Sequence, residues 1–228
     1  MKLSSIVLCS LLLSAFSFAE TIKDSQGNEY TTVKIGDQVW MAQNLNVKTD
    51  RSYCYDNDPA NCEMYGRLYT WAAAMKLPEY CNDNYNDPRK DSRCKTPDPW
   101  QGICPDGFKV PNQRDFIYLD DFFAEGGAGK YLKSSKGWKN NGNGNDRFGF
   151  ALLPAGSRIK NGEYSDKGND AILWTSDIVI ARQWSGQDKI RAYAVFFDAN
   201  SQGLNFEDIG RPNGFSLRCI KVMRAEDY

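Results

Sequence analysis

Seven cysteines and a complete lack of histidine define the chemistry that this 228-residue chain can carry out. Without histidine, Ser-His-Asp and Cys-His catalysis and the usual histidine-containing metal sites are excluded. No two of the cysteines beyond residue 50 have the Cys-x-x-Cys spacing of a zinc site. Cys9 lies in the first 19 residues, which have the pattern of a signal peptide, so six cysteines remain after cleavage. An even number of cysteines in an exported chain favours disulfide bonds instead of a metal site.

Loop composition ranks the disulfide pairings without deciding among them, because six cysteines can pair in more than a dozen ways. Cys54 and Cys62 enclose a turn-rich loop, and Cys81 and Cys94 enclose a polar loop that contains a proline, so the ends of each loop can meet. The remaining pair would fasten the last strand to the middle of the fold, and a link of about 100 residues contributes about 4.7 kcal/mol. The favoured pairs are Cys54–Cys62, Cys81–Cys94 and Cys104–Cys219.

The six tryptophans divide into two groups according to their neighbours. Three lie in apolar segments and are predicted to be core: Trp40, Trp71 and Trp174. Three lie among polar loop residues and are the candidate ligand-binding residues: Trp100, Trp138 and Trp184. An exposed indole face can stack on a sugar ring or anchor a protein contact. The alternative is that each loop tryptophan folds back over the rim of the core.

Two loops carry several oxygen-bearing side chains that suit calcium. Their residues are Asn141, Asn143, Asn145 and Asp146 in one loop, and Asn82, Asp83 and Asn84 in the other. Neither loop has EF-hand spacing, so ordinary polar loops are favoured, no metal or cofactor is predicted, and calcium is the alternative. The glycine-rich segment 126–130 lacks the Ser or Thr of a phosphate loop. No catalytic set is found, and the chain is predicted not to be an enzyme.

The first 19 residues have the pattern of a signal peptide. A short positive start precedes an apolar run at residues 3–18, and small residues before Glu20 suit cleavage there. The run is shorter than the roughly 18 residues that span a bilayer, so no membrane span is expected after cleavage. The remaining chain, 20–228, is slightly acidic, which makes nucleic acid an improbable partner. The sequence therefore predicts export to the periplasm, the cell surface or the medium.

Short elements with separate helical and strand regions predict one α+β domain with a mainly antiparallel sheet, a few short helices and long loops. Segments 30–35 and 38–41 form a predicted hairpin around Gly36-Asp37, with Val33 opposite Trp40. A short helix is expected from Thr70, and residues 20–28 are expected to be loosely ordered.

The chain beyond residue 78 supplies the other predicted elements. Asn112 and Asp115 form the capping box of a helix that ends at the glycines 126–129. Its inner face is formed by Phe116, Leu119 and Phe123. Residues 79–103 form a predicted loop, and strands are expected at 148–153, 171–175, 191–197 and 215–222.

Six segments in this order resemble the Fibrobacter succinogenes major paralogous domain family over residues 24–222. They are VWMAQNL at 39–45, YGRLYTW at 65–71, GICPDGFKVP at 102–111, FGFALLPAG at 148–156, LWTS at 173–176 and SLRCIK at 216–221. The resemblance implies a C-type-lectin-like or formylglycine-generating-enzyme-like fold on a secreted or surface protein, with no settled activity. It also places Cys104 and Cys219 in motifs that suggest the long disulfide. Phe108 and Lys109 stand where the family often has Trp and His.

These observations together predict an exported, non-catalytic binding or surface-interaction module. Its expected partner is a polysaccharide or a cell-surface protein. Two alternatives stay open: an oxidase similar to the formylglycine-generating enzymes, which use a cysteine pair, and a purely structural domain of the cell envelope.

Overall fold

The computed structural model describes residues 20–123, 125–182 and 188–223, so the predicted signal peptide and Trp184 lie outside the described residues. The strands are β1 (Thr21–Lys23), β2 (Glu29–Ile35), β3 (Gln38–Met41), β4 (Ser52–Tyr53), β5 (Leu68–Tyr69), β6 (Phe108–Lys109), β7 (Ser157–Arg158), β8 (Tyr164–Ser165), β9 (Asp170–Ala181), β10 (Lys189–Asp198), β11 (Asn205–Ile209) and β12 (Ile220–Lys221). The α-helices are α1 (Pro59–Tyr65), α2 (Trp71–Ala74), α3 (Gln113–Phe122) and α4 (Ala128–Leu132). None of the helices in this described part is both long and apolar enough to cross a membrane.

A five-stranded antiparallel sheet holds the two ends of the described chain together. Its order is β1-β2-β3-β12-β6, so β12 lies between β3 and β6. The predicted hairpin is confirmed, because β2 and β3 pair with Val33 opposite Trp40. At the other end of the chain, the Lys221 ammonium lies 3.8 Å from the Glu20 carboxylate.

A second sheet with the order β11-β10-β9 supplies the longest strands. Their alternating apolar residues contribute to two hydrophobic clusters, one around Trp71 and Trp174 and the other around Trp40. All three of these tryptophans are fully buried, which confirms their predicted place in the core. The ladders between named strands are antiparallel, as expected for an α+β fold of this kind.

The helices begin at the predicted caps. The Thr70 hydroxyl accepts a hydrogen bond from the backbone N–H of Ala73 at the start of α2. At the start of α3, Asn112 and Asp115 each accept a bond from the backbone N–H of the other, which forms the expected capping box. The glycine segment does not simply end α3: that helix ends at Phe122, and α4 begins within the glycines, at residue 128.

Three predictions for extended or loose segments need correction. Residues 148–153 form no regular strand: Ala151 has φ 50°, its N–H donates to the Asp146 carboxylate, and the segment pairs only through a bridge at Leu152. Residues 20–28 are ordered, since β1 pairs with β2 and the Asp24 carboxylate accepts backbone bonds from the turn. Of the predicted strand at 215–222, only β12 is regular.

Three disulfides connect the long loops. Cys54–Cys62, Cys81–Cys94 and Cys104–Cys219 have S–S distances of 2.02, 2.00 and 2.05 Å. These are the pairs that the spacing favours. The third joins Cys219, directly before β12, to Cys104, four residues before β6 begins, so it reinforces the pairing of two very short neighbouring strands.

Candidate binding site

The outer face of α3 exposes large aromatic side chains. The capping box fixes where this helix starts, and its inner face buries Phe116 and Leu119. On the other side, Tyr118 is 37% exposed and Phe122 is 46% exposed. Exposed aromatic groups that cluster on one surface are a common mark of a contact site.

The turn of the β2–β3 hairpin packs against this face. A Cβ atom at Gly36 would lie 2.6 Å from the Tyr118 hydroxyl and 3.2 Å from Cδ2 of Phe122. Gly36 also has φ +57°, so glycine is required here both for its backbone conformation and for the close approach. The Asp37 N–H donates to the Tyr118 hydroxyl at 3.2 Å. The hairpin turn therefore fixes the position of both exposed rings.

An aromatic patch surrounds Phe122. We define it as Tyr118, Phe122, Phe123, Tyr131 and Phe148. The Phe122 and Phe148 ring centres are 6.1 Å apart, and Phe123 stacks on Tyr131 at 4.9 Å. Rings of this patch line an open depression of about 390 Å³, whose edge carries one basic and one acidic side chain, Arg147 and Glu125.

A cleft of about 450 Å³ that contains several charged side chains is lined in part by Tyr118. Lys109 is nearly buried in it, and its Nζ lies 2.9 Å from the Asp98 carboxylate and 3.0 Å from that of Asp115. Burial opposes the positive charge, but the hydrogen bond to Asp98 and the nearby Asp115 outweigh it and raise the pKa of Lys109. Burial also raises the pKa of Asp115, against the bonds from the Asn112 N–H and Lys109.

The aromatic patch and this cleft are neighbours on the outer side of α3, and together we call them the α3 surface. Tyr118 belongs to the patch and lines the cleft, and a Cβ atom added at Gly36 would meet both Tyr118 and Phe122. Ring faces beside fixed hydrogen-bonding groups can bind a molecule that has both apolar faces and hydroxyl groups. Within 20–123, 125–182 and 188–223, no group of three or more His, Cys, Asp or Glu side chains is placed to hold a metal ion.

The tryptophans predicted for ligand binding are not part of this surface where the structure describes them. Trp138 is only 5% exposed, its Nε1–H donates to the Leu152 carbonyl, and the Lys133 ammonium lies over its ring. Its assignment as an exposed ligand-binding ring is therefore corrected. Trp100 is half-buried, donates to the Met75 carbonyl and packs against the first hydrophobic cluster. Trp184 lies outside the described residues.

The first calcium candidate loop uses its side-chain oxygens to hold its own backbone. Asn143 accepts from the N–H of Trp138, and Asn145 accepts from that of Arg147. Asp146 accepts from the N–H of residue 151. These bonds account for the oxygens as turn-forming groups, which is the ordinary role of such residues.

The second calcium candidate loop already surrounds a positive charge from the protein. The fully buried Arg211 guanidinium donates to the carbonyls of Asp83 and Asn86. Asn82 turns its side chain away to accept from the N–H of Ala72. Burial lowers the pKa of Arg211 to about 10. The loop carbonyls that resemble cation ligands thus have an internal cation as their partner.

The sequence of α3 also indicates which large apolar side chains lie on its outer face. Once Phe116, Leu119 and Phe123 are assigned to the inner face of the helix, the neighbouring large apolar residues must point outward. Those residues, Ile117, Tyr118 and Phe122, are the exposed ones in the structure. A helix that is apolar on both faces needs a second partner.

Comparison with known proteins gives one match. A model of the Fibrobacter succinogenes major domain matches residues 33–221. No curated protein and no solved structure gives a significant match to the chain.

Proposed function

The chain belongs to the Fibrobacter succinogenes major domain family, and from this premise we propose that it is an exported, non-catalytic binding module for a polysaccharide. The α3 surface carries this proposal. A sugar ring has apolar C–H faces and a polar rim, and the surface offers exposed rings beside a cleft of charged groups. The three disulfides support the exported part, because such bonds persist in oxidising compartments.

The finer fold assignment is also part of the proposal. We propose a C-type-lectin-like arrangement on the basis of short strands, few helices and long disulfide-linked loops. The pairing of β12 with strands from early in the chain supports it, since both ends of the domain then share one sheet.

An oxidase that cycles a cysteine pair receives less support from the geometry. Two of the three cysteine pairs, Cys81–Cys94 and Cys104–Cys219, are buried in their disulfides, which argues against either pair as an accessible catalytic centre. A purely structural envelope domain is the outcome that would follow if the α3 surface bound nothing.

The test is retention of the mature protein on insoluble cellulose, xylan and pectin, followed by single substitutions. We expect the wild-type protein to be retained on at least one polymer. Phe122→Ala should weaken that retention about tenfold, because an exposed ring at a binding hot spot contributes on the order of 1.4 kcal/mol or more. Phe122 is half-exposed, so its truncation leaves the fold largely intact.

The matched control is Tyr85→Ala, which removes an equally exposed ring that lines neither the patch nor the cleft. Retention of Tyr85→Ala should equal that of the wild type. Absence of retention on all three polymers contradicts the polysaccharide proposal. Equal retention of Phe122→Ala and wild type would keep the function and reject the α3 surface as its site.

A further inference from the structure

One disulfide has a positively charged group directly against its sulfurs. Nη1 of Arg67 lies 3.4 Å from Sγ of Cys62 and 3.6 Å from Sγ of Cys54. The same guanidinium is held in place by Ser52, whose hydroxyl and carbonyl accept from its Nε and Nη2 at 2.9 and 3.3 Å. Among the ion pairs of the described chain, none involves Arg67 and a carboxylate.

A cation in this position does little for a neutral disulfide but much for a thiolate. Sulfur in a disulfide is a weak hydrogen-bond acceptor, whereas a thiolate beside Arg or Lys is strongly stabilised. Stabilising the thiolate also stabilises the reduced protein, which makes the bond easier to reduce. The Arg67 contact therefore makes the Cys54–Cys62 bond easier to reduce than an ordinary structural disulfide.

The other two disulfides lack these features. Both residues of each of these pairs are buried: Cys81, Cys94 and Cys219 fully, and Cys104 nearly so. In the Cys54–Cys62 pair, Cys62 is only 5% exposed, but Cys54 is half-buried. No lysine or arginine side chain within the described ranges donates to their sulfurs. The Cys81 sulfur instead lies 3.9 Å from the backbone carbonyl oxygen of Arg93. Access and charge thus both single out the Cys54–Cys62 bond.

A cleft of about 320 Å³ borders the Cys62 end of the bond. Cys62 lines it together with Glu63, Met64 and Tyr65 of the same helix. On the opposite wall, the side-chain oxygen of Asn46 is buried and has no hydrogen-bond partner within the described protein. The cleft can therefore admit a small polar molecule beside Cys62, while Cys54 is the half-exposed residue that an incoming thiol can reach from solvent.

From these observations we propose that Cys54–Cys62 is a thiol–disulfide exchange site that reacts with small thiols and dithiols. An incoming thiolate attacks Sγ of Cys54, the S–S bond breaks, and its electron pair leaves on Sγ of Cys62 beside Arg67. A second thiolate then attacks the external sulfur of the mixed disulfide and releases Cys54. Both cysteines end reduced, and the two external thiols end joined as a disulfide.

The fold tolerates this reaction because the loop is short. The Cys54–Cys62 separation is 8 residues, against 13 and 115 for the other pairs. A disulfide that closes a shorter loop constrains the unfolded chain less and contributes less to stability. Opening this bond therefore frees the wall of the cleft without unfolding the domain. This proposal does not depend on polysaccharide binding.

The experiment is equilibration of the folded protein in glutathione buffers of rising reducing strength, followed by acid quenching, alkylation and peptide mapping. Cys54 and Cys62 should be labelled first, while the other four cysteines stay oxidised. Arg67→Gln removes the charge but keeps hydrogen-bond donors for Ser52. The variant should need a ratio of the squared concentration of reduced glutathione to that of oxidised glutathione about tenfold higher than the wild type needs to reduce half of the Cys54–Cys62 bonds. This corresponds to a shift of about 30 mV in the reduction potential of the pair.

Arg93→Gln is the matched control, because it removes an arginine next to Cys94 that pairs with Asp91. It should leave the reduction of Cys54–Cys62 unchanged. Earlier reduction of either other pair, or no shift in Arg67→Gln, overturns the proposal. If Arg67→Gln does not fold, the alkylation rate of Cys62 in the reduced wild type decides: at pH 7 it should exceed that of the unfolded chain, and equality overturns the proposal.

Discussion

Within the part of the chain that the structure describes, three buried positively charged side chains bind neutral oxygens. Lys133 donates to the carbonyls of residues 198 and 201 at 2.9 and 2.8 Å, and burial lowers its pKa. Arg211 binds the carbonyls of the 83–86 loop, and Arg218 donates to the Asn44 side chain and the Phe150 carbonyl. The partners of Arg211 and Arg218 lie outside the named strands, and those of Lys133 lie at the end of β10 and just after it. Each buried cation therefore supplies hydrogen-bond donors to buried backbone or amide oxygens.

Arg218→Met tests this role at the residue scale. Burial lowers the pKa of Arg218 to about 9, and methionine keeps much of the apolar volume while removing every donor. The acceptors on Asn44 and Phe150 are then left unsatisfied, which should lower the free energy of unfolding by about 2–4 kcal/mol. Urea denaturation measures this loss, and the exposed Arg114→Met should change stability by less than about 0.5 kcal/mol. A loss as small as the control's would contradict the role.

Single residues with local roles could be predicted from the sequence, but residues with distant roles could not. Thr70 and Asn112 bind backbone groups within three positions, so their spacing reveals their function. Arg218 and Asn44 are 174 positions apart, and composition places arginine at the surface. Only tertiary packing brings such pairs together.

At the scale of elements, the β9–β10 ladder places two acidic residues opposite each other. Asp170 pairs with Asp198 in the antiparallel register. Burial, together with the negative charges of Asp166, Asp198 and Glu207, raises the pKa of Asp170 to about 6. Between about pH 4 and pH 6, this carboxyl is therefore protonated in the folded state and ionised in the unfolded chain, where its pKa is the ordinary 3.8.

The stability effect of Asp170 should depend on pH. The preference for the protonated carboxyl stabilises the fold fully below about pH 4 and is lost as the pH rises through about 6. Asp170→Asn should therefore stabilise the protein by about 1 kcal/mol at pH 8, since partial solvent access reduces the full effect of the shift. At pH 4 the variant and wild type should be nearly equal. Thermal unfolding at both values tests this, with the exposed Asp121→Asn as the control; a larger gain at pH 4 would contradict it.

Elements closed by local turns were predicted more accurately than those that need a remote partner. The β2–β3 hairpin contains its own turn, so its register follows from Gly36 and the alternation around it. Residues 148–153 alternate in the same way, yet side-chain and single-bridge contacts hold them in an irregular path. A period-two pattern shows which side chains are buried, and it does not show whether a neighbouring strand exists.

At the scale of the molecule, the Cys104–Cys219 bond is the cross-link with the greatest expected effect on stability. Its separation of 115 residues closes a much longer loop than the 13 of Cys81–Cys94. Replacing Cys104 and Cys219 with alanine should lower the free energy of unfolding by about 5 kcal/mol. Replacing Cys81 and Cys94 with alanine should lower it by about 3 kcal/mol. Denaturant unfolding without reductant compares the two variants. Equal losses would show that packing around the sulfurs, and not loop length, sets the contribution.

The salt link between Glu20 and Lys221 has a practical consequence for protein engineering. The two ends of the domain therefore lie close together, because the side chains of Glu20 and Lys221 meet. Residues 20–223 can therefore be spliced into a surface loop of a carrier protein through two short linkers, without forcing the carrier's flanking segments apart. The α3 surface would then be displayed by a host that keeps its own fold.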